Sequence, residues 1–463
     1  MQNYEEIADY AVSLGLKKGF DFVEAYIELS EGASYSIEQG KPSGLAIFKS
    51  SGIRIRLISK GSLLTFSTNK LDKKTIEDAF RFKPFNGNKV YLSKEKVEKA
   101  DYKVSEKIKI EDSYTNLPKD LEELDNFVKK EGVSFRSLYV STGRSKTYLI
   151  NSEGTRIRSS LPGVSGFFSI IVGKGKESRQ RTIEFGKTGG YELLKIDELE
   201  HKLEKEIKAL HNVLENGKSL SNYELSKIKN IVASPEIVGI AVHESIGHPS
   251  EADRVFGREA AQAGLSYLNS SNLGTKIGSE KVNIIDDPTI KNSYGFFLYD
   301  DEGVKARPKI LVKEGIQNEL LLNREYAYLT GKRSNASARS DSYSNEPIIR
   351  MSNTYLEKGD ANIEELFSEA KNGIYIKSFT EWNIDDTRSF ARYQGNEAYL
   401  IKNGEPSVPI KNYKLDASTF DFWKAVSLLG NDFELYPGNC GKGEPMQGVP
   451  VMMGGPSVLL KFG

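Results

Sequence analysis

Hydrophobic and polar positions change period several times along this chain, and the changes outline its elements. Residues 4–18 place Ile7, Ala8, Ala11 and Leu14 at helical spacing, which predicts a first amphipathic helix. From 20 to 66 the texture becomes β-branched and aromatic, broken by turn signals. It predicts consecutive antiparallel strands with reversals at Ser51-Gly52 and Lys60-Gly61. A second helix is expected over Lys73–Ala79, a charged surface connection over 88–112, and a third helix over 118–130, where acids fall early and lysines late. Strands return over 132–185, with Ser152-Glu153-Gly154 reading as a hairpin turn. A long charged helix over 192–214 carries His201 and His211 on a solvated face.

The polar segment 217–230 breaks this pattern and divides the chain into two expected domains, 1–216 and 222–463. Beyond it lie an apolar run, IVASPEIVGIAV, and then HESIGHPSEADR. Strands are predicted at 282–286, 294–303, 306–322, 348–357, 373–382, 389–409, 449–454 and 457–462, with a helix over 363–371. The expected class is mixed α/β of the α+β kind. A helix-plus-antiparallel-sheet N-terminal domain precedes a mostly β C-terminal domain whose packed helices carry the chemistry.

Composition narrows the function. The 463 residues hold 64 Lys plus Arg and 64 Asp plus Glu, so no global field draws the chain to nucleic acid or to an anionic membrane surface. No stretch of 18 apolar residues occurs, and the N-terminal segment has acids where a signal peptide has an apolar core. A cytoplasmic protein is expected. The single cysteine, Cys440, excludes an internal disulfide.

Two of the four histidines flank a glutamate in His243-Glu244-Ser245-Ile246-Gly247-His248. A hydrolytic metal site needs neutral imidazoles or thiolates, an open coordination position and a carboxylate that takes a proton from water. This HExxxH run is one residue longer than HExxH. Residues five apart diverge by about 140° on a regular α-helix, so both histidines converge only if the helix widens toward a π turn or ends between them. Gly247 before His248 and Pro249 after it permit either outcome. A third ligand must come from elsewhere. Cys440 sits in YPGNCGKGEP, a Gly/Pro-rich loop, and is either a small buried thiol or a functional one, with Lys442 near enough in sequence to favour the thiolate. One cysteine and two histidines would leave a fourth tetrahedral position for water.

Segment 243–254, HESIGHPSEADR, resembles the HExxGHxxExD signature of the TldD branch of the TldD/TldE (PmbA) metallopeptidase family. The likeness continues through 284–289, 300–304, 312–315, 347–359, 373–376, 396–404 and 428–434, and ends with PGNCGKGEPMQGVPVMMGGPSV at 437–458. It is dense over 231–463 and diffuse before that. The resemblance implies a zinc peptidase with Zn2+ held by His243, His248 and Cys440, and with Glu244 as general base. It also implies a TldE-like paralogue as partner, or a second copy of this chain, in a dimer.

Other residues keep two readings each. Glu251 and Asp253 either orient a metal-bound imidazole or cap and pair with Arg254. Arg339 and Arg350 either clamp a peptide carboxylate or form structural salt bridges. Asp286-Asp287 and Asp300-Asp301-Glu302 read as turn formers rather than a hard-cation site. The leading function is hydrolysis of extended or unfolded peptides, which add as a strand to a sheet edge. An assembly protein with a structural zinc, or a cysteine hydrolase using Cys440, are the alternatives.

Overall fold

The computed structural model describes residues 2–81, 89–257, 259, 264–443 and 445–463. Residue 88 of the predicted charged connection and Glu444 of the 437–458 motif lie outside them. The chain has a mixed α+β fold in which one large sheet belongs to the N-terminal half and two to the C-terminal half. The first sheet runs Ser62–Thr68, Lys41–Ser59, Phe22–Glu38, Phe135–Asn151, Arg156–Lys174, with Lys99–Lys103 and Glu177–Thr188 both paired to the last of these. All pairs are antiparallel except that of Lys99–Lys103. Helices Ser113–Lys130 and Ile196–Asn216 cover part of one face through Leu117, Leu121, Leu203, Ile207 and Leu210, while Gln2–Lys17 and Lys73–Ala79 cover another part through Ala8, Ala11 and Ile76.

The predicted reversal at Ser51-Gly52 is not a turn. Lys41–Ser59 runs straight through it, paired with Phe22–Glu38, and the chain reverses at Gln39-Gly40 and Lys60-Gly61, both with positive φ. Gly52 answers a different need: a Cβ there would lie 2.0 Å from the ring of Tyr343, which packs flat on the strand. The helix placed at 118–130 begins earlier, at Ser113, and carries Pro118 inside it. The strand expected over 294–303 is absent. Asp300 Oδ1 accepts from the backbone of Glu302 and Val304, which folds the segment into a turn and removes it from any ladder.

In the C-terminal half, a six-stranded sheet is ordered Ile316–Gln317, Lys309–Lys313, Ile284–Asp286, Asn353–Leu356, Gln447–Gly455, Glu434–Lys442. A seven-stranded sheet places Asn230–Ala233 between Gly373–Ile384, to which it is parallel, and Val458–Lys461. The principal core lies between these sheets, and helix Pro235–Val242, buried at every position but Glu236, runs through it.

Arginines join the two halves. Arg56 of the N-terminal sheet reaches Glu302 at 3.0 Å and Glu346 at 2.7 Å, Arg324 reaches Glu153 at 2.8 Å, and Arg181 reaches Glu236 at 2.6 Å. Gly52→Val would drive the Tyr343 ring off the strand and cost about 1–3 kcal/mol by overpacking. Urea denaturation should show a lowered midpoint, and an unchanged midpoint would mean that the Tyr343 loop is not seated there.

Candidate metal centre

The apolar run after Asn230 divides into a strand and a helix at Ser234, whose hydroxyl accepts from Ile237 N, with Pro235 in the first turn. Every position from Ile237 to Val242 is buried, so the helix cannot shift without opening the core. At His243 it widens into a π turn, His243–Gly247, in which the His248 N–H donates to the His243 carbonyl. A tight turn, His248–Ser250, then carries the chain away. The structure therefore uses the first of the two devices that the five-residue spacing allowed, widening, and the helical path ends only after both histidines.

Neighbouring side chains serve the widened turn. Ser245 Oγ donates to Ala241 O at 2.6 Å and accepts from Trp423 Nε1 at 2.9 Å, and the Tyr267 hydroxyl donates to Ser245 O at 2.8 Å. Gly247 has ordinary helical angles, so it was not selected for conformational freedom as the sequence had implied. Space decides it, because a Cβ there would fall 2.0 Å from the Met351 sulfur.

Cys440 is not in a loop. It lies in strand Glu434–Lys442, opposite Val449 of Gln447–Gly455, and is 6% exposed. This strand brings it to the histidines: potential ligand atoms of His243, His248 and Cys440 all lie within 4.8 Å of one another. The two imidazole rings stand 4.8 Å apart at 77°, and Cys440 Sγ is 3.4 Å from His248 Nε2. His248 Nδ1 faces Glu251 Oε2 at 2.9 Å. An ionised carboxylate only accepts, so Nδ1 carries the proton and Nε2 turns its lone pair toward the thiol.

Electrostatics prepares all three groups as ligands. Burial holds the His243 imidazole below its ordinary pKa, and burial aided by Arg388 brings His248 down to about 4. Burial pushes the Cys440 thiol up, but its neighbours His248 and Arg350 outweigh it and bring the pKa down to about 7. Neutral imidazoles and an accessible thiolate are the forms that bind metal. His243 Nδ1 is buried without a hydrogen-bond partner among the described residues, a cost that a bound cation at this cluster would remove. The donor set fits a thiophilic divalent ion with borderline-soft character, and zinc foremost.

Glu251 and Asp253 belong to one buried charge network. Glu251 also meets Arg254 Nε at 2.7 Å and Lys442 Nζ at 3.2 Å, while Lys442 donates to Asp253 at 2.7 and 2.8 Å and to Ile349 O at 2.8 Å. Burial opposes ionisation of Glu251, yet Lys442, His248 and Arg254 together hold its carboxyl well below the usual range. Lys442 thus points at the acids rather than at Cys440. It ties the strand carrying the thiol to the segment carrying His248.

Glu244 is buried and paired with Arg388, whose NH1 also reaches the Glu244 carbonyl at 3.5 Å. Arg388 has φ of 62° in the turn between Gly373–Ile384 and Phe390–Lys402, a left-handed position that a non-glycine residue adopts at some cost. Sequence spacing contained no signal for it. Arg339 and Arg350 form no ion pair among the described residues, contrary to the simpler expectation. Arg350 donates to the carbonyls of Cys440 and Gln447, and Arg339 to Met351 O while its guanidinium stands 5.3 Å from the Phe297 ring centre. Asp286 is neutralised by Lys309 at 2.8 Å and bound by Ser352 and Thr354, and Asp300 caps its own turn, so neither acidic pair is arranged for a cation. His201 is exposed and His211 half-buried on the charged helix Ile196–Asn216, and neither joins this cluster.

The cluster opens into a cavity of about 410 Å³. One wall is Glu177–Thr188 with Lys202 behind it, and another is Glu434–Lys442. Among the described residues each of these strands pairs with another strand on one side only, although the side chains of Asn396 and Asn292 already reach the carbonyls of Gln180 and Thr188, so two partly open sheet edges flank the centre. Replacing Lys442 with Met should destabilise the protein by about 3–5 kcal/mol, because buried Asp253 loses its ammonium partner and Glu251 one of its two cations. Equilibrium denaturation and zinc competition against a chelator measure the effect. Wild-type values in both would remove Lys442 from this role.

The sequence profile of the PmbA/TldA metallopeptidase C-terminal domain matches residues 226–462, that of the central domain 98–214, and that of domain 1 residues 23–81. A metalloprotease of Methanothermobacter thermautotrophicus is 33% identical over 338 residues, 71% of this chain and 69% of its own. A zinc metalloprotease TldD homolog of Saccharolobus solfataricus is 34% identical over 232 residues, half of each chain. The crystal structure of TldE from Thermococcus kodakarensis superposes with a TM-score of 0.76 at 16% identity, covering 98% of this chain and 99% of that one. A Thermotoga maritima structure gives 0.77 at 18%, covering 99% of both. With all three domain profiles matched in order and TldD homologs among its relatives, the chain belongs to the PmbA/TldD family of metallopeptidases, as a TldD-type member.

Proposed function

We propose that the protein is a zinc-dependent peptidase acting on extended or unfolded peptides, with His243, His248 and Cys440 as ligands and Glu244 as general base. The observation that carries this reading is the convergence of two imidazoles and a thiol, all buried, beside a buried carboxylate at the floor of an open cleft. Zinc, when bound, supplies polarisation of the scissile carbonyl and acidification of water. Glu244 accepts the proton of the attacking water and returns it to the leaving amine. Arg388 holds that carboxylate in place and balances its charge. Glu251 fixes the tautomer and orientation of His248. The two strand edges offer main-chain donors and acceptors to an extended peptide, which would bind with wide tolerance of sequence. A protein already folded has its own strands paired and does not fit a cavity of this size.

In this reading residues 222–463 supply every ligand and residues 1–216 supply a wall, as two domains. A structural zinc site in an assembly protein would call for a fourth protein ligand, and no further Cys, His or acid joins the cluster among the described residues. A lone cysteine serving as ligand suits a reducing compartment, hence the cytoplasm. No helix among the described residues is long and apolar enough to cross a membrane. A TldE-like paralogue is the preferred partner and a second copy the other, in a dimer closed by two-fold symmetry.

Cys440→Ser should lose most bound zinc, because a neutral hydroxyl is a poor substitute for thiolate. Metal analysis of the purified variant reads this directly, and full zinc retention would take Cys440 out of the ligand set. Glu244→Gln should keep its zinc while peptide hydrolysis falls by about 10²–10⁴-fold. Hydrolysis near the wild-type rate would sink the general-base assignment. Light scattering of the chain alone and of the chain co-purified with a TldE-like protein decides assembly, and a strict monomer in both with full activity would refute the dimer.

A further inference from the structure

The charged groups lining the metal cleft are mostly matched in place. Arg181 is held by Glu206 at 3.0 Å and by Glu236 at 2.6 Å, and Glu244 is held by Arg388. Lys202 stands 5.8 Å from the Tyr436 ring centre, with the acids Glu206, Glu236 and Glu434 around it. Glu184 differs. It lies on the edge strand Glu177–Thr188, in the wall of the same cavity as His243, His248 and Cys440, and no cation pairs with it among the described residues. Its side chain is reachable by solvent, yet the cleft encloses it closely enough that burial alone pushes its carboxyl pKa up from the ordinary value.

Two aromatic residues neighbour Glu184 on its face of the sheet. Phe167 is directly opposite Glu184 in the strand register, so both project from the same face. Phe167 is 38% exposed and stacks on Tyr139 of the next strand, with centroids 5.5 Å apart. On the other side the Tyr294 ring fills the space above Gly186, where a Cβ would lie 2.6 Å from it, two residues along from Glu184. A lone carboxylate bordered by partly exposed aromatic rings is the chemistry that binds an ammonium or guanidinium. The charge attracts the cation, and the rings accept it through their negative faces while covering its alkyl stem.

We propose that Glu184, with Phe167 and Tyr294 beside it at the margin of the substrate cleft, forms a cation-binding subsite that selects peptides presenting a lysine or arginine side chain beside the scissile bond. The inference rests on the peptidase reading above and adds a preference to it. Main-chain pairing along the edge strand sets the path of the peptide without regard to sequence, and Glu184 is the position on that edge where sequence is read. The α-ammonium of a peptide whose N-terminus lies in the cleft offers the same charge, so two sources share one chemistry.

The test uses the full-length zinc-loaded protein, with its partner if one is required. Substrates are fluorogenic peptides identical except for arginine, lysine, norleucine or glutamate at each position flanking the cleaved bond, each with a free and with an acetylated N-terminus. At one position the wild type should favour arginine and lysine over norleucine by about three- to tenfold in kcat/KM, as expected for one partly solvated charge pair with cation–π support. Glu184→Gln should bring that ratio to about one, and Glu184→Lys should invert it toward glutamate. A preference that follows the free amine instead of the side chain would overturn the side-chain assignment. Hydrolysis of every peptide without regard to charge, or a basic preference unchanged in both variants, would overturn the subsite and leave the peptidase reading standing. Failure of the wild type to cleave any of the peptides would overturn both.

Discussion

Two imidazoles five residues apart on one helix point in different directions unless the helix is rewound, and much of the C-terminal half is arranged around the rewinding at His243–Gly247. A π turn is less well bonded than an α turn, so it persists only where the surroundings leave no alternative. Here a buried helix precedes it, Pro249 follows it, Trp423 and Tyr267 bond its backbone and Ser245, and Met351 occupies the space that any larger residue at 247 would need. The wide turn is thus held by packing on every side. That rigidity holds the two imidazoles, candidate ligands, at a fixed separation.

The second ligand-bearing element is secured by charge rather than by packing. Lys442 is fully buried and lies two positions from the thiol, with its three donors directed at Glu251, Asp253 and a carbonyl. Such a network contributes little net stability when compared with an apolar core of the same volume, but it is intolerant of losing one member. Its value lies in registry: Glu251 meets both the imidazole of His248 and the ammonium of Lys442, so strand and helix end can dock in one alignment only.

How much of this could be read from the sequence depended on the range of the interaction. The HExxxH run demanded a widened or broken helix on geometric grounds alone, and the widened one is present. Hairpins at Lys60-Gly61 and Ser152-Glu153-Gly154 were legible because turn chemistry is local. Ser51-Gly52 misled because a glycine needed for close approach to Tyr343, nearly three hundred residues away, looks the same as a glycine needed for a turn. Cys440 was assigned to a loop for a related reason. Its glycines and proline suit an edge strand that pairs with Gln447–Gly455, and only the tertiary partner distinguishes the two cases. Arg388 was invisible. An arginine in a DDTR turn has no spacing relation to Glu244, and its contact exists only after Phe390–Lys402 has folded back on the sheet.

The two half-paired strands beside the metal centre raise a question of solubility as much as of chemistry. A bare sheet edge ordinarily recruits the edges of other molecules, and proteins blunt such edges with charge, bulges or cover. Glu177–Thr188 and Glu434–Lys442 instead face each other across a walled cavity of about 410 Å³, which leaves no approach for the flat flank of a neighbouring sheet. Concavity does the work of protection. Backbone left open there can therefore be kept in the native state without inviting fibrils, because the cavity walls stand between it and the edge of another sheet.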